Sequence, residues 1–286
     1  MDWKYKNEPD GDTCLAMNDG KCSWHRGKAL GGSSAINGML YVRGDRDDYD
    51  QWSQAGNPGW SYEEILPYFK KSMDQQDPIL AQNTKVYGTG GPLVVETPSY
   101  RSVVSEALLK AASEAGYKVK DINDGEATGF AQVQMTADEG KRMSSAKAFL
   151  NPQVTKRRNL DVVLNAQVTQ ILIKNSRAYG VVFARFGDKE SKYFAYARAE
   201  VILSAGAIAS PQLLLLSGIG PLIDLNYHGI PVIKNLPGVG KNLQCHVGTG
   251  EVIFTVDKPV ASNPIRVFAN PINLLDYFLN GNGPLR

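Results

Sequence analysis

A chain of 286 residues, 43% hydrophobic and 21% charged with a formal net charge of +2, has ordinary globular composition and can form one large domain or two smaller ones. This near-neutral balance, with no basic run, excludes the electrostatic footprint of a nucleic-acid binder. The longest uncharged stretch, VILSAGAIASPQLLLLSGIGPLI at 201–223, has the length of a membrane span, but Pro211, Pro221, Gln212 and three serines interrupt it, so no transmembrane segment is expected.

Residues 3–25 are polar and turn-rich, and MDWKYKNEP contains no apolar signal-peptide core. Cys14 and Cys22 flank the short loop CLAMNDGKC, while Cys245 stands alone. With His25, His228 and His246 as the only histidines, no Cys/His cluster has metal-ligand spacing, and no metal is expected. Two readings of Cys14 and Cys22 stay open here: a disulfide, which implies an oxidising compartment, or unpaired thiols.

Next comes RGKALGGSSAINGMLYVRGDRDDYDQW, residues 26–52. A Walker phosphate loop is excluded because Lys28 is followed by Ala29 rather than Ser or Thr. Gly31 and Gly32 permit positive φ and a close backbone approach, and successive N–H groups there can form an anion-binding nest. Ser33 and Ser34 add donors, and Asn37 carries an amide that both donates and accepts. Arg26 either supports a phosphate or lies along the surface.

In NPGWSYEEILPYFKKSM, Pro58-Gly59 makes a turn, Ser61 caps, and Glu63-Glu64 sit in the first turn of a helix. Residues 77–92 read as a loop and Leu93–Val95 as a short strand. Val104, Leu108, Ala111 and Ala115 have helical spacing in SVVSEALLKAASEAG, which Gly116 ends. Residues 129–138 are strand-like, and KRMSSAKAFLNP predicts a helix closed before Pro152. Its Arg142 and two serines are read as a solvated helix start in preference to groups facing a cofactor.

From Leu160 the texture changes to three β-rich runs, LDVVLNAQVTQILI, AYGVVFARF and KYFAYARAEVILSAGA. They predict strand, strand, hairpin return and a buried strand ending at Ala205-Gly206-Ala207, with Pro211 opening a Leu-rich helix. Small residues at a strand end let a ligand approach the carboxyl edge of an α/β sheet, although plain packing produces the same pattern. The architecture expected is mixed α/β with two interleaved subdomains, residues 1–50 with 155–245 and the remainder of the chain.

Three stretches resemble the glucose-methanol-choline (GMC) family of flavin oxidoreductases: RGKALGGSSAINGMLYVRGDRDDYDQW, GAIASPQLLLLSGIGP at 206–221 and LPGVGKNLQ at 236–244. The phrasing of MDWKYKNEP, WSYEEILPYFKKS and INLLDYFLNGNGPL looks most like its insect glucose dehydrogenase branch. The resemblance implies an FAD-binding, Rossmann-like fold incomplete at both ends, because the chain has no G-x-G-x-x-G and lacks the C-terminal part that supplies the family's catalytic histidine. This makes it a middle piece, without catalytic residues of its own and inactive when expressed alone.

On that resemblance, 1–50 and 155–245 belong to the FAD-binding domain, and 51–154 and 246–286 to a substrate-binding cap. Arg26 is grouped with the flavin site. Ala29, Leu30, Gly31, Gly32 and Ser33 lie by the pyrophosphate and ribityl chain, and Asn37, Gly38, Met39 and Leu40 near the isoalloxazine. Val168 touches the adenine through its backbone, and Ala205, Gly206 and Ala207 border the ADP portion. Some members link the flavin to a histidine just before the Asn; Ile36 stands there, implying non-covalent FAD. The expected reaction is oxidation of CH–OH groups of alcohols or sugars, with an electron acceptor as second partner. The alternatives are a flavin-containing hydroxynitrile-lyase-like member and a non-catalytic binding module. NLQCHV departs from the family by Cys245 in place of Asp. The insect resemblance also implies secretion, and with it a Cys14–Cys22 disulfide.

Overall fold

The polar N-terminal stretch folds back on itself as a two-stranded antiparallel hairpin, β1 (Tyr5–Lys6) against β2 (Ser23–Trp24). The structure, a computed structural model, describes residues 1–246, 264–280 and 283–284. Cys14 and Cys22 are joined as a disulfide in the loop of this hairpin, with their Cα atoms 5.5 Å apart. Asp2 ties its base: the carboxylate pairs with His25 Nδ1 at 2.7 Å and accepts from the amides of Lys4 and Arg26, each at 3.0 Å. The His25 bond first, and then these amides, hold Asp2 well below the usual carboxylate range.

After β3 (Leu40–Tyr41) comes α1 (Arg46–Gln54), which the sequence did not announce. Its acid-rich residues carry no apolar stripe. A reciprocal cap sets its start, in which Asp47 N donates to Asp45 at 3.1 Å and Asp45 N donates to Asp48 at 2.9 Å. The next helix, α2 (Tyr62–Ser72), begins where expected, with the Ser61 amide and hydroxyl both donating to Glu64 at 3.1 and 2.6 Å. It runs into β4 (Met73–Gln75), which pairs in parallel with β5 (Leu93–Val95) across the expected loop.

Ser102 caps α3 (Val103–Glu114). Then β6 (Gln134–Met135) pairs antiparallel with β3, and β7 (Ala137–Asp138) pairs with β8 (Lys141–Arg142). Two short helices follow, α4 (Ser145–Phe149) and α5 (Pro152–Thr155). One helix through KRMSSAKAFLNP is therefore corrected. Lys141 and Arg142 are strand, Ser144 caps α4, and Pro152 opens α5 at a position where its missing N–H costs little. The core of this region is Met73, Val86, Tyr87 and Val95, with Tyr41, Leu80 and Leu93 packed against it.

The three β-rich runs form an antiparallel meander in the order β11–β10–β9, from β9 (Ala166–Lys174), β10 (Arg177–Arg185) and β11 (Asp188–Tyr196). The strand expected through VILSAGA is not one. Residues 201–204 have no ladder partner among the described residues, Ile202 is 78% exposed, and α6 (Gly206–Leu216) starts five residues before Pro211. Pro211 lies inside α6, and the carbonyl it leaves unbonded belongs to Ala207, an exposed residue of the first turn that water can reach. Ser217, 1% exposed, locks α6 to the meander by accepting from Ile171 N at 2.8 Å and donating to Leu213 O at 2.6 Å. Then β12 (Ile219–Gly220) pairs in parallel with β13 (Lys234–Asn235) around α7 (Leu222–Tyr227), and α8 (Pro264–Ala269) and α9 (Pro271–Asn280) complete the described elements.

The chain divides into two compact units, Met1–Leu160 with Phe254–Arg286, and Asp161–Ile253. This partition groups residues by how they pack together. The division expected above groups them by ligand, so the two are answers to different questions.

Candidate functional site

Residues 26–40 form a turn whose shape is dictated by its glycines. Gly31 and Gly32 have φ of 92° and 54°, the left-handed region, and Gly32 opens a single 3-10 turn, Gly32–Ala35. Gly27 lies so close that a Cβ there would collide with the Gly32 carbonyl, and its amide donates to Ser33 Oγ at 3.1 Å. Ser33 Oγ is thus an acceptor inside the turn and keeps its own proton for a ligand.

A distant segment braces this turn from behind. Ser34 Oγ donates to Gly31 O and accepts from Ser145 N at 2.9 Å, while Ser145 Oγ donates to Gly31 O at 3.1 Å. Arg142 Nη1 reaches both the Ser34 carbonyl at 3.1 Å and Asn37 Oδ1 at 2.6 Å. Further along, Thr136 N donates to the Met39 carbonyl at 2.7 Å, and Leu40 pairs with Met135. Arg142 and Ser145 are functional-site neighbours that the sequence reading set aside as a solvated helix start. Their partners lie more than a hundred residues away, so no local spacing could reveal them.

The turn leaves both apolar and polar groups outward. Ala29, Ser33, Asn37 and Gly38 are exposed, with Leu30 at 46% and Leu40 at 61%. Among the described residues, the amides of Ala29, Leu30 and Gly31 donate to no protein acceptor. Arg26 is less free: its guanidinium sits over the Trp24 ring at 5.6 Å and donates to the His25 carbonyl at 2.7 Å.

A buried polar layer follows the turn in the same unit. Arg43, 3% exposed, donates to Tyr41 Oη at 3.1 Å, Val86 O at 2.9 Å and Met73 Sδ at 2.8 Å, among the rings of Tyr41, Phe69 and Tyr87. Tyr87 donates to Asp121 at 2.5 Å and accepts from Gln134 at 2.8 Å. Burial, and then the Asp121 bond, push the Tyr87 phenol far above its usual value. It is a fixed donor, not an acid.

In the second unit, Val168 lies on β9 opposite Phe183 of β10. Ala205, Gly206 and Ala207 are exposed at the start of α6, with Gly206 at φ 87° and Ala205 N donating to Ser210 Oγ at 3.0 Å. A Cβ on either Gly32 or Gly206 would meet no protein atom within 4 Å. The expected site residues thus fall in two groups, Arg26–Leu40 in the first unit and Val168 with Ala205–Ala207 in the second.

Over residues 9–248 the chain matches the GMC oxidoreductase family. The chain belongs to that family. As a GMC oxidoreductase chain it is 45% identical to glucose dehydrogenase [FAD, quinone] of Drosophila pseudoobscura pseudoobscura over 91% of its own length and 41% of that protein's. It is 41% identical to the mitochondrial choline dehydrogenase of Mus musculus over 86% of its length and 39% of the relative's. Among solved structures, an FAD-dependent oxidoreductase from Chaetomium thermophilum superposes with a TM-score of 0.84 at 31% identity, covering 96% of this chain and 49% of that one. The chain therefore spans less than half the length of these relatives.

Membership implies FAD, and the residues present fit it. The free amides of Ala29, Leu30 and Gly31, leading into a left-handed glycine pair, suit phosphate oxygens, and open space at Gly32 and at Gly206 suits a close ligand. Exposed Leu40 suits a flat apolar ring. The histidines do not join this set. His25 is engaged with Asp2, His228 caps α7 against the Tyr227 ring, and His246 is exposed beside Cys245. Among the described residues no cluster of three or more His, Cys, Asp or Glu could hold a metal, and no helix is long and apolar enough to cross a membrane.

Proposed function

We propose that the protein is an FAD-dependent oxidoreductase acting on CH–OH groups of alcohols or sugars. The observation that carries this reading is the left-handed Gly31–Gly32 turn, entered through the unengaged amides of Ala29, Leu30 and Gly31 and braced from behind. FAD supplies the hydride acceptor, the part of the chemistry no amino-acid side chain provides. The chain's own residues bind and orient it. Gly31 and its neighbours Ala29 and Leu30 offer amides to phosphate oxygens, the Ser33 hydroxyl keeps a proton to donate, and Leu40 excludes water from one face of the ring.

Ile36 carries no nucleophile, so the flavin is held non-covalently. Residues 1–50 and 155–245 serve the flavin, with Val168 and Ala205–Ala207 on the ADP side. Residues 51–154 and 246–286 serve the substrate side, of which 247–263, 281–282 and 285–286 lie outside the described residues. No proton acceptor is assigned among His25, His228 and His246. The Cys14–Cys22 disulfide supports an oxidising, extracellular setting. The lyase and binding-module readings gain no observation in their favour.

Two measurements test this. Both use the full-length protein: acid precipitation should release FAD into the supernatant, and flavin retained in the pellet contradicts non-covalent binding. A panel of alcohols and sugars, assayed with a quinone and with oxygen, should show turnover with at least one pair. Bound flavin that no CH–OH donor reduces contradicts the reaction class.

A further inference from the structure

Asn37 is the one amide side chain on the 26–40 turn, and the structure decides which end of it is available. Its Oδ1 accepts from Met39 N at 3.1 Å and from Arg142 Nη1 at 2.6 Å. Two donors converge on one oxygen. Rotating the amide would place its NH2 against both of them, so the network fixes the orientation. The carbonyl end is therefore occupied on both lone pairs. The two Nδ2 protons have no acceptor among the described residues, and Asn37 is exposed.

Arg142 is held in turn. The same nitrogen that grips Asn37 also donates to the Ser34 carbonyl at 3.1 Å, and Ser34 is bonded to Ser145 N on the first turn of α4. The guanidinium spans 105 residues of sequence to reach Asn37. An arginine that satisfies two oxygens on a solvent-facing turn does more than coat the surface. It turns an ambivalent amide into a committed donor.

We propose that Arg142 is a positioning residue that fixes Asn37 as a hydrogen-bond donor to the electron-rich edge of the flavin ring. This rests on the flavin reading of the turn and goes beyond it by assigning a polarity. A donor there favours the ring more as it gains electrons, so the pair tunes affinity and redox potential together. The role is one of orientation, because Arg142 acts through Asn37 and not on substrate.

The test uses the full-length, FAD-loaded protein and its variants Asn37→Asp, Arg142→Met and Arg142→Lys. Asn37→Asp is nearly isosteric and keeps both contacts on Oδ1, but it replaces the donating NH2 with an accepting oxygen. It should weaken FAD binding on the order of tenfold, the worth of about one hydrogen bond, and shift the flavin midpoint potential negative. Thermal unfolding of the flavin-free protein should stay unchanged. Arg142→Met should reproduce both effects, and Arg142→Lys should recover most of them. If Asn37→Asp binds FAD as the parent does and keeps its potential, the donor assignment is wrong while the flavin site stands. If the parent itself takes up no FAD, the reading underneath has failed, and the inference with it.

Discussion

The turn at Gly31–Gly32 and the start of α6 at Gly206 are alike in composition and unlike in support. Both reach solvent, are built of small residues, and pass through left-handed glycines. The first is pinned from afar, by Arg142 and Ser145 behind it and by Thr136 on the Met39 carbonyl. The second is held locally, by Ala205 N on Ser210 Oγ, with its long-range anchor at the far end of the helix in Ser217. Both stretches can admit a ligand. Their scaffolds fail in different ways, one through bonds from a distant segment and the other through a single local hydroxyl.

The largest effect should come from breaking the buried polar layer around Arg43, in the unit that carries the first turn. Arg43→Met keeps volume but strands the Tyr41 hydroxyl and the Val86 carbonyl, which should cost about 3 kcal/mol of stability. Urea denaturation of the protein would show a lowered midpoint. An unchanged midpoint would mean that this layer does not stabilise the first unit.

A smaller and more local loss is expected from Ser217→Ala. It leaves the buried Ile171 amide without an acceptor, a cost of about 1–3 kcal/mol. Hydrogen exchange at Ile171 N should accelerate, while exchange at Thr136 N, which braces the first turn, should not. Equal acceleration at both amides would erase the contrast between the two scaffolds.

The smallest effect belongs to the cap of α1. The Ala127 amide, and then that of Asp47, hold Asp45 below its usual 3.8. A carboxyl depressed in the folded state contributes stability that is present above its unfolded value and is lost as pH falls through the folded one. Asp45→Ala should therefore lower the melting temperature slightly at neutral pH and by progressively less as the pH falls below 3.8. A difference that is constant with pH would remove the charge from the explanation.

The sequence made the site turn legible and its brace illegible. Paired glycines, paired serines and an Asn-Gly within one dozen residues demand an unusual backbone, and Gly31 and Gly32 adopt it. Arg142 and Ser145 were visible as residue types, yet their meaning lies in contacts 105 to 114 residues distant, which no local pattern encodes. The meander was legible because β-branched runs separated by short turns pair with their neighbours. VILSAGA misled for the same reason. An apolar run reads as strand whether or not a partner exists, and 201–204 have none among the described residues. The helix α1 went unseen because its nine residues are nearly all polar, and its only signal was the reciprocal Asp45–Asp48 cap.

One measurement bears most directly on the account, the affinity of the full-length protein and its Gly32→Asn variant for FAD. Asparagine tolerates the left-handed region, and a Cβ at this position meets no protein atom within 4 Å, so the variant should fold with a melting temperature close to the parent's. Its side chain would then project from the turn into the open space assigned to the flavin phosphates. Titration with FAD, followed through quenching of flavin fluorescence, should show the parent binding and the variant weakened on the order of a hundredfold, or about 2.8 kcal/mol. A folded Gly32→Asn protein that binds FAD as tightly as the parent would place the flavin elsewhere and contradict the assignment of this turn.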